Sequence, residues 1–252
     1  MSNNLPVNWQ EEMAKEAAVV SKAFRPTVGQ ISTKSGILAY MDQPIPGNKL
    51  KCIVLASIFE NNYFEGKFDP KNPRNPVCYA FGRATPDGSV PFMSPPDYVK
   101  EPHRKAADCT ACPWSKWASD PDSPSGKGKR CKEIYKLALV PAATADTDVS
   151  KTEIAILRVP VTSRKNFELY VNEAASVFRR PTWGMVTEIS LQPHMRNQFE
   201  MKFSPLEPIP EAQLANIYPR IGGGFDVLMQ KYEENTDKPA EEETQSNRKR
   251  KF

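Results

Sequence analysis

Apolar and polar residues follow two different periodicities along the chain, and these separate helical from extended segments. In Asn8–Phe24 the apolar residues recur every three or four positions, which predicts an amphipathic helix. Asn8 followed by Glu11 fits a capping box at its start, and Pro26 prevents its continuation. A second helix with the same spacing is predicted at Asn166–Phe178.

Strands are indicated by apolar runs and by two-residue alternation between turn-forming residues. Gly36–Tyr40 and Lys49–Phe59 are predicted to form a hairpin, joined by a turn over residues 44–48. Met185–Leu191 and Phe199–Phe203 alternate, which predicts a second hairpin with one solvent-exposed face. Further strands are expected at Val77–Phe81, Ile134–Val140 and Ile154–Val161, and short helices at Glu211–Tyr218 and Phe225–Tyr232.

The order of these elements predicts an α+β fold with about five to seven antiparallel strands. It divides the chain into an N-terminal helix (residues 1–30), a main domain (31–232) with an irregular insert (75–134), and a tail (233–252). The tail is acidic at first and basic at its end. Because it has almost no apolar residues, we expect it to be disordered.

Composition narrows the class of protein further. The longest nearly apolar run, residues 52–59, is far shorter than the roughly 20 residues of a membrane-spanning helix, so no transmembrane segment is expected. No secretory signal is visible, which favours a reducing compartment. If the source is eukaryotic, Arg248–Lys251 would act as a nuclear localisation signal.

Enzymatic activity is not expected. The chain has 24 Pro but only two His among its 252 residues, which leaves little room for His-based catalysis. No nucleophile elbow, zinc-protease motif or dinucleotide-binding fingerprint occurs.

Four of the five cysteines lie in a stretch that is rich in Pro, Gly, Asp, Asn and Ser and poor in periodic apolar residues. Such a stretch inside a compact domain needs something other than an apolar core to organise it. Cys78, Cys109, Cys112 and Cys131 are separated by 30, 2 and 18 residues. A C-x-x-C pair lets two thiolates reach one ion, and the last gap is typical of a zinc ribbon. The spacing therefore predicts a structural Zn²⁺ site with four thiolate ligands.

Other interpretations of these cysteines remain open. They could be buried thiols without a metal, or Cys109 and Cys112 could be a redox pair, although that motif belongs at a helix start within a βαβ unit. His103 could replace Cys78 as a ligand. Cys52 lies within an apolar strand and is predicted to be a core thiol.

The insert also carries an excess of positive charge. Between Val99 and Lys136 there are nine Lys or Arg and five acidic residues, a net charge of +4 that equals that of the whole chain. Mobile cations beside glycines suit a phosphate backbone, and aromatic rings between cations suit the bases of single-stranded nucleic acid. The candidate contact residues are Tyr63, Phe64, Lys67, Arg74, Tyr79, Phe81, Arg83, Trp114, Lys116, Trp117, Lys127, Lys129, Arg130 and Lys132.

Purely structural roles compete with this interpretation. Lysine clusters are often solvated faces, and Tyr79 and Phe81, at strand positions, are more often core residues. Trp114 and Trp117 either pack over a metal site or face a ligand. We interpret Gly222–Gly224 as a flexible joint, because no Lys-Ser/Thr follows it as in an anion-binding loop.

Three segments carry a resemblance to a known family: a cysteine in an early strand (Asn75–Gly82), the C-x-x-C loop (Asp108–Trp114) and the basic Gly126–Lys132 before an apolar strand. Over about residues 75–140 the chain resembles the single-stranded DNA-binding proteins of tailed bacteriophages. It is more distantly similar to the zinc-containing helix-destabilising protein of T-even phages. That pattern includes a His ligand, whereas four cysteines stand here, and such proteins often end in an acidic tail, whereas this one becomes basic after Glu243.

The resemblance implies an OB-like antiparallel β-barrel with an inserted zinc subdomain and flanking helices, with Cys78, Cys109, Cys112 and Cys131 as Zn²⁺ ligands. It implies largely sequence-independent binding of single-stranded DNA during phage replication or recombination, in the cytoplasm of an infected bacterium. Phage replication or recombination proteins would be partners, and no membrane would be involved. The alternative is a zinc-ribbon module for protein interaction or transcription regulation.

Overall fold

A single mixed sheet forms the centre of the protein. The computed structural model describes residues 12, 13, 15, 28–66, 74–85, 89, 93–123, 126–142 and 152–232. Within them the strands are β1 (Gly29–Ser32), β2 (Ala39–Tyr40), β3 (Gln43–Pro44), β4 (Lys49–Tyr63), β5 (Cys78–Gly82), β6 (Lys132–Pro141), β7 (Ala155–Val159), β8 (Met185–His194) and β9 (Gln198–Pro208). The helices among these residues are α1 (Arg164–Ser176), α2 (Glu211–Ile217) and α3 (Arg220–Leu228). The fold is therefore α+β, as predicted, with the sheet curled into a half-barrel.

The long strand β4 organises this sheet. The strand order is β3-β2-β1-β7-β6-β4-β8-β9, and β5 pairs with β4 outside this path. One edge of β4 pairs with β6, while the other pairs with β8 near Lys49–Cys52 and with β5 near Phe59–Tyr63. The register between β4 and β6 shifts between Val54 and Ala56, which marks a bulge in this strand. The two ends of β4 thus belong to different parts of the sheet.

The two faces of the sheet bury separate hydrophobic cores. On one face, Val54 and Leu137 belong to the cluster that includes Phe167 and Tyr170 of α1. On the other face, Ile53 and its neighbours belong to the cluster that includes Ile217 of α2 and Leu228 of α3. Alternation of side chains along the strands produces this division.

Most of the predicted elements are confirmed. The strands around β4, β6 and β7 and the helix α1 lie where the periodicity indicates them, and β8 and β9 form the predicted hairpin. β9 continues through Pro205 to Pro208, which is tolerated because β9 is the edge strand of the described sheet. The described sheet has nine strands rather than five to seven, and β1 pairs with β7 in parallel.

The predicted hairpin of Gly36–Tyr40 with Lys49–Phe59 is wrong. β2 pairs instead with β1 and β3, and β4 pairs with β5, β6 and β8. Met41 and Asp42, with φ of 51° and 62°, form the tight turn between β2 and β3. Two positive φ values in succession suit the twist of a short hairpin, but neither residue is the Asn or Gly that usually marks such a turn.

Gly222–Gly224 lies within α3 and is not a joint between elements. A Cβ atom at Gly224 would lie 3.3 Å from the Cβ atoms of Leu55 and Ala56, so the missing side chain lets the helix approach the sheet closely. The interpretation as a flexible joint is therefore wrong.

Two predicted segments fall largely outside the described residues. Of the N-terminal helix, only Glu12, Met13 and Lys15 are described, and these are helical. The tail of residues 233–252 is outside the description altogether. None of the helices in the described part of the chain has the length and apolar character needed to cross a membrane.

Candidate metal centre and nucleic-acid surface

The four cysteines of the insert come together at the end of β4. Cys78 is the first residue of β5 and pairs with Tyr63, while Cys131 directly precedes β6, whose Lys132 pairs with Asn62. Because β5 and β6 lie on opposite edges of β4, they bring Cys78 and Cys131 to the same end of the sheet. This non-local pairing joins cysteines that are far apart in sequence.

The C-x-x-C segment is held in a tight turn above this end of the sheet. The Asp108 carboxylate accepts hydrogen bonds from the backbone N–H groups of Thr110 (2.8 Å) and Ala111 (3.0 Å). The backbone N–H of Cys109 donates to Met93 O at 2.8 Å, and that of Cys131 donates to Trp114 O at 3.0 Å. These bonds fix the backbone of Cys109 and Cys131 and the turn between Cys109 and Cys112 without using any sulfur atom.

A small cavity lies among the four thiols. Its volume is about 20 Å³, enough for one ion or one water molecule but not for an organic substrate. The Ser115 hydroxyl, which is buried beside the Cys131 thiol, also lines it. The remaining lining residues include Asn61, Tyr63, Tyr79, His103, Lys105, Asp108 and Trp114.

The thiols influence one another's ionisation. Burial, followed by the neighbouring Cys109 and Cys112, raises the pKa of Cys78 to about 12. Burial, followed by Cys109 and Cys78, raises the pKa of Cys131 to about 12. Burial also raises the pKa of Cys109. Without a cation the three groups are therefore neutral at pH 7, and a divalent cation is what would favour their thiolate forms.

The donor set and the cavity size fit a tetrahedral thiolate-bound ion. As the side chains stand, however, the described residues contain no group of three or more His, Cys, Asp or Glu arranged so that it could hold a metal ion. The shared cavity and the mutual effects on pKa show that the four thiols are neighbours. Zinc binding by these four thiols therefore stays a prediction.

Cys52 differs from the other four. It lies within β4, is buried in the core beside Val54 and Leu137, and its pKa is raised by burial. The prediction of a core thiol is confirmed.

The two tryptophans of the insert have opposite environments. Trp114 lines the cavity, with its ring centroid 4.2 Å from that of Tyr63 and with Lys105 and Arg130 near its faces. Trp117 is 73% exposed, and Lys129 Nζ lies 5.0 Å from its ring centroid. One tryptophan therefore packs over the cysteines, and the other offers its ring to solvent.

The predicted cationic contacts are also divided. Lys116 is exposed and precedes Trp117 directly in sequence. Lys127 is also exposed, and its backbone carbonyl accepts from the N–H of Ala118, the residue after Trp117 (3.4 Å). Arg74 is exposed shortly before β5. Lys129 forms an ion pair with Glu133 (2.8 Å), and Lys132 forms one with Asp120 (2.8 Å). The pair of Lys132 is solvent-exposed and therefore weak, so Lys132 can exchange partners at little cost, whereas the pair of Lys129 is partly buried.

Other predicted contacts lie away from the Trp117 surface or in the interior. Phe64 is exposed at the end of β4, whereas Lys67 lies outside the described residues. Arg83 stacks on Phe225 of α3, with its guanidinium carbon 3.6 Å from the ring centroid. Tyr79 is 2% exposed, and Tyr79 and Phe81 are in ring contact with each other and with Tyr232. The ring of Tyr79 is therefore covered by neighbouring side chains in this conformation and is not open to a base.

The structure reveals a buried polar cluster that the sequence patterns did not identify. Glu60, Lys136 and Arg158 share one face of β4, β6 and β7, and Tyr232 covers them. One sequence feature does indicate this cluster: Lys136 interrupts the apolar run of β6. The sequence analysis groups Lys136 with the cations of the insert instead. Tyr232 gave no signal because it precedes a tail expected to be disordered.

Comparison of the chain with protein-family models, with curated proteins and with solved structures finds no match.

Proposed function

We propose that the protein binds single-stranded DNA without strong sequence preference, through an OB-like barrel with a zinc-stabilised insert, and that it has no catalytic role. The curled sheet of the half-barrel is compatible with an OB-like architecture. On this proposal the protein coats and protects single strands during phage replication or recombination, in keeping with the resemblance of residues 75–140.

The exposed ring of Trp117 is the observation that carries this proposal. A tryptophan that is 73% exposed, with a lysine 5.0 Å from its ring centroid, does not contribute to a core. It offers an aromatic face for a base beside a cation for a phosphate. Lys116 and Lys127 extend the positive surface on the same insert. A stack on such a ring contributes about 1–3 kcal/mol per base.

Zinc would act structurally in this proposal. Cys78, Cys109, Cys112 and Cys131 would hold it, and four thiolates leave no open position for a catalytic water. Binding of the ion would stabilise an insert that has few regular elements of its own. It would thereby hold Trp117 in a fixed position relative to the sheet.

The test is a fluorescence anisotropy titration of a labelled oligodeoxythymidylate with the full chain and with Trp117→Ala. We expect the variant to bind about tenfold more weakly, since one stack is lost. Tyr218→Ala is the matched control, because Tyr218 is also an exposed aromatic residue but lies after α2, outside the insert. It should bind like the wild type.

Two results would contradict the proposal. One is affinity that does not fall as salt rises, because phosphate contacts release counterions. The other is a preference for duplex over single strand. Absence of nucleic-acid binding, together with capture of a protein partner that nuclease does not disrupt, would favour the protein-interaction module instead.

A further inference from the structure

The buried cluster beneath Tyr232 has the composition of a ligand site, but a residue of the chain itself fills it. Glu60 is 1% exposed, and its Oε2 atom has no hydrogen-bond partner within the described structure. The nearest cation is Lys136, whose Nζ lies 4.0 Å from that oxygen and donates to Leu228 O at 2.8 Å. A buried carboxylate oxygen without a donor is costly, so this site is incompletely satisfied as it stands.

Tyr232 occupies the site with both its ring and its hydroxyl. The ring meets Tyr79 edge-on at 4.7 Å between centroids and Phe81 at 5.9 Å. The hydroxyl donates to Glu60 Oε1 at 2.7 Å and accepts from Arg158 Nη2 at 3.1 Å. An aromatic group that presents an acceptor to an arginine and a donor to a carboxylate has the hydrogen-bonding pattern of a nucleobase edge.

Tyr232 is held in the fold by its own contacts and not by those of the residues just before it. The three residues before it, Met229, Gln230 and Lys231, are exposed and follow the end of α3. The remaining bonds are those of its backbone, whose N–H donates to Tyr79 Oη (3.1 Å) and whose carbonyl accepts from Tyr98 Oη (3.0 Å). Tyr232 can therefore leave without unfolding α3.

We propose that Tyr232 acts as an internal plug in a nucleobase-binding subsite made by Glu60, Arg158, Tyr79 and Phe81, and that single-stranded DNA displaces it. This inference rests on the proposed function. When Tyr232 leaves, Glu60 Oε1 keeps one donor, Asn62 Nδ2 at 3.1 Å, and has a lone pair free for a second. Glu60 Oε2 has no hydrogen-bond partner within the described structure, and Arg158 remains a donor. Guanine matches this set, because its Watson–Crick edge carries one acceptor followed by two donors. The subsite thus adds a preference for guanine to otherwise unselective binding.

The test compares binding of oligodeoxythymidylates that carry a single central guanine, hypoxanthine or thymine. In the full chain with Tyr232→Ala, we expect the guanine oligonucleotide to bind about five- to tenfold more tightly than the thymine one. Hypoxanthine lacks the second donor and should lose most of this gain, as should guanine with Glu60→Gln in the Tyr232→Ala background. Tyr218→Ala serves as the control for the loss of a tyrosine elsewhere. A folded Tyr232→Ala protein with no base preference overturns the proposal.

A second measurement on the unaltered protein decides the matter if Tyr232→Ala does not fold. The Tyr232 amide is hydrogen-bonded to Tyr79 Oη, so its exchange with solvent deuterium should accelerate when a guanine oligonucleotide saturates the protein. Unchanged or greater protection overturns the proposal. Failure of the protein to bind any oligonucleotide would instead contradict the proposed function, whereas binding without displacement of Tyr232 contradicts this inference alone.

Discussion

The buried ion pair between Lys136 and Glu60 should respond sharply to removal of one partner. The Lys136 side chain is 3% exposed, and its Nζ lies 4.0 Å from Glu60 Oε2. Lys136→Met keeps much of the side-chain volume but leaves the Glu60 carboxylate without its counter-charge. We expect Lys136→Met to reduce the free energy of unfolding by about 3–5 kcal/mol. Replacing both partners, as in Lys136→Met/Glu60→Gln, should cost much less, because the buried carboxylate charge is removed together with the ammonium.

The pH dependence reports a different and opposing quantity, the cost of keeping Lys136 charged in the interior. Burial lowers the pKa of Lys136 from 10.5 to about 8, partly opposed by Glu60. Keeping Lys136 protonated in the folded protein at neutral pH therefore costs roughly 3 kcal/mol relative to the unfolded chain, since one pKa unit equals about 1.4 kcal/mol. Between pH 8 and 10.5 the unfolded chain binds more protons at Lys136 than the folded chain does. The contribution of this residue to stability therefore increases with pH across that window.

Urea denaturation at pH 7 and pH 9, followed by tryptophan fluorescence, measures both effects. Raised thiol pKa values in the folded state act in the opposite direction near pH 9. The informative quantity is therefore the stability of the wild type minus that of the double variant. We expect this difference to rise by about 1 kcal/mol from pH 7 to pH 9. A flat difference, or equal destabilisation by the single and double substitutions, would refute the reasoning.

Two further predictions use matched pairs of substitutions. Cys112→Ser should lower both the bound zinc measured by mass spectrometry and the melting temperature. Cys52→Ala should lower the melting temperature and leave the bound zinc unchanged. Equal zinc content in the two variants would contradict the four-thiolate site. Gly224→Ala should be less stable than Gly222→Ala by about 1–3 kcal/mol in denaturation experiments, because its Cβ would lie 3.3 Å from the Cβ atoms of Leu55 and Ala56. Gly222→Ala meets no atom within 4 Å and should stabilise α3 by up to about 1 kcal/mol, so the opposite order would show that α3 does not pack as described.

Local pattern was sufficient to predict much of the fold but not its pairing. The alternation of Phe199–Phe203 and the apolar run in β6 identify strands because a strand buries every second or every residue. The parallel pairing of Gly29–Ser32 with Ala155–Val159 joins segments more than a hundred residues apart, and no local signal encodes it. The sequence does not predict the turn at Met41–Asp42, because Met41 is an unusual residue at positive φ and Asp42 stands where Gly is usual.

The candidate site was predictable to the extent that spacing encodes chemistry. The interval between Cys109 and Cys112 predicts a shared neighbourhood, and the structure places those cysteines around one cavity with Cys78 and Cys131. Residue spacing does not reveal solvent exposure, so the sequence does not distinguish Trp114 from Trp117. In the structure Trp114 lines the cavity and Trp117 faces solvent. Tyr232 contacts residues more than 150 positions earlier, which no periodicity can reveal.

The pairing of β4 with β5 and β6 has a consequence for how this protein can change in evolution or by engineering. The chain leaves the sheet after Gly82 and re-enters it at Lys132, on opposite edges of the same strand. Both attachment points are fixed by the register of β4, whatever the length of chain between them. Exposed segments of residues 83–131 that carry no cysteine and no buried side chain can therefore be shortened, extended or exchanged without moving the core strands. New binding specificities can be grafted at this position while the scaffold stays the same.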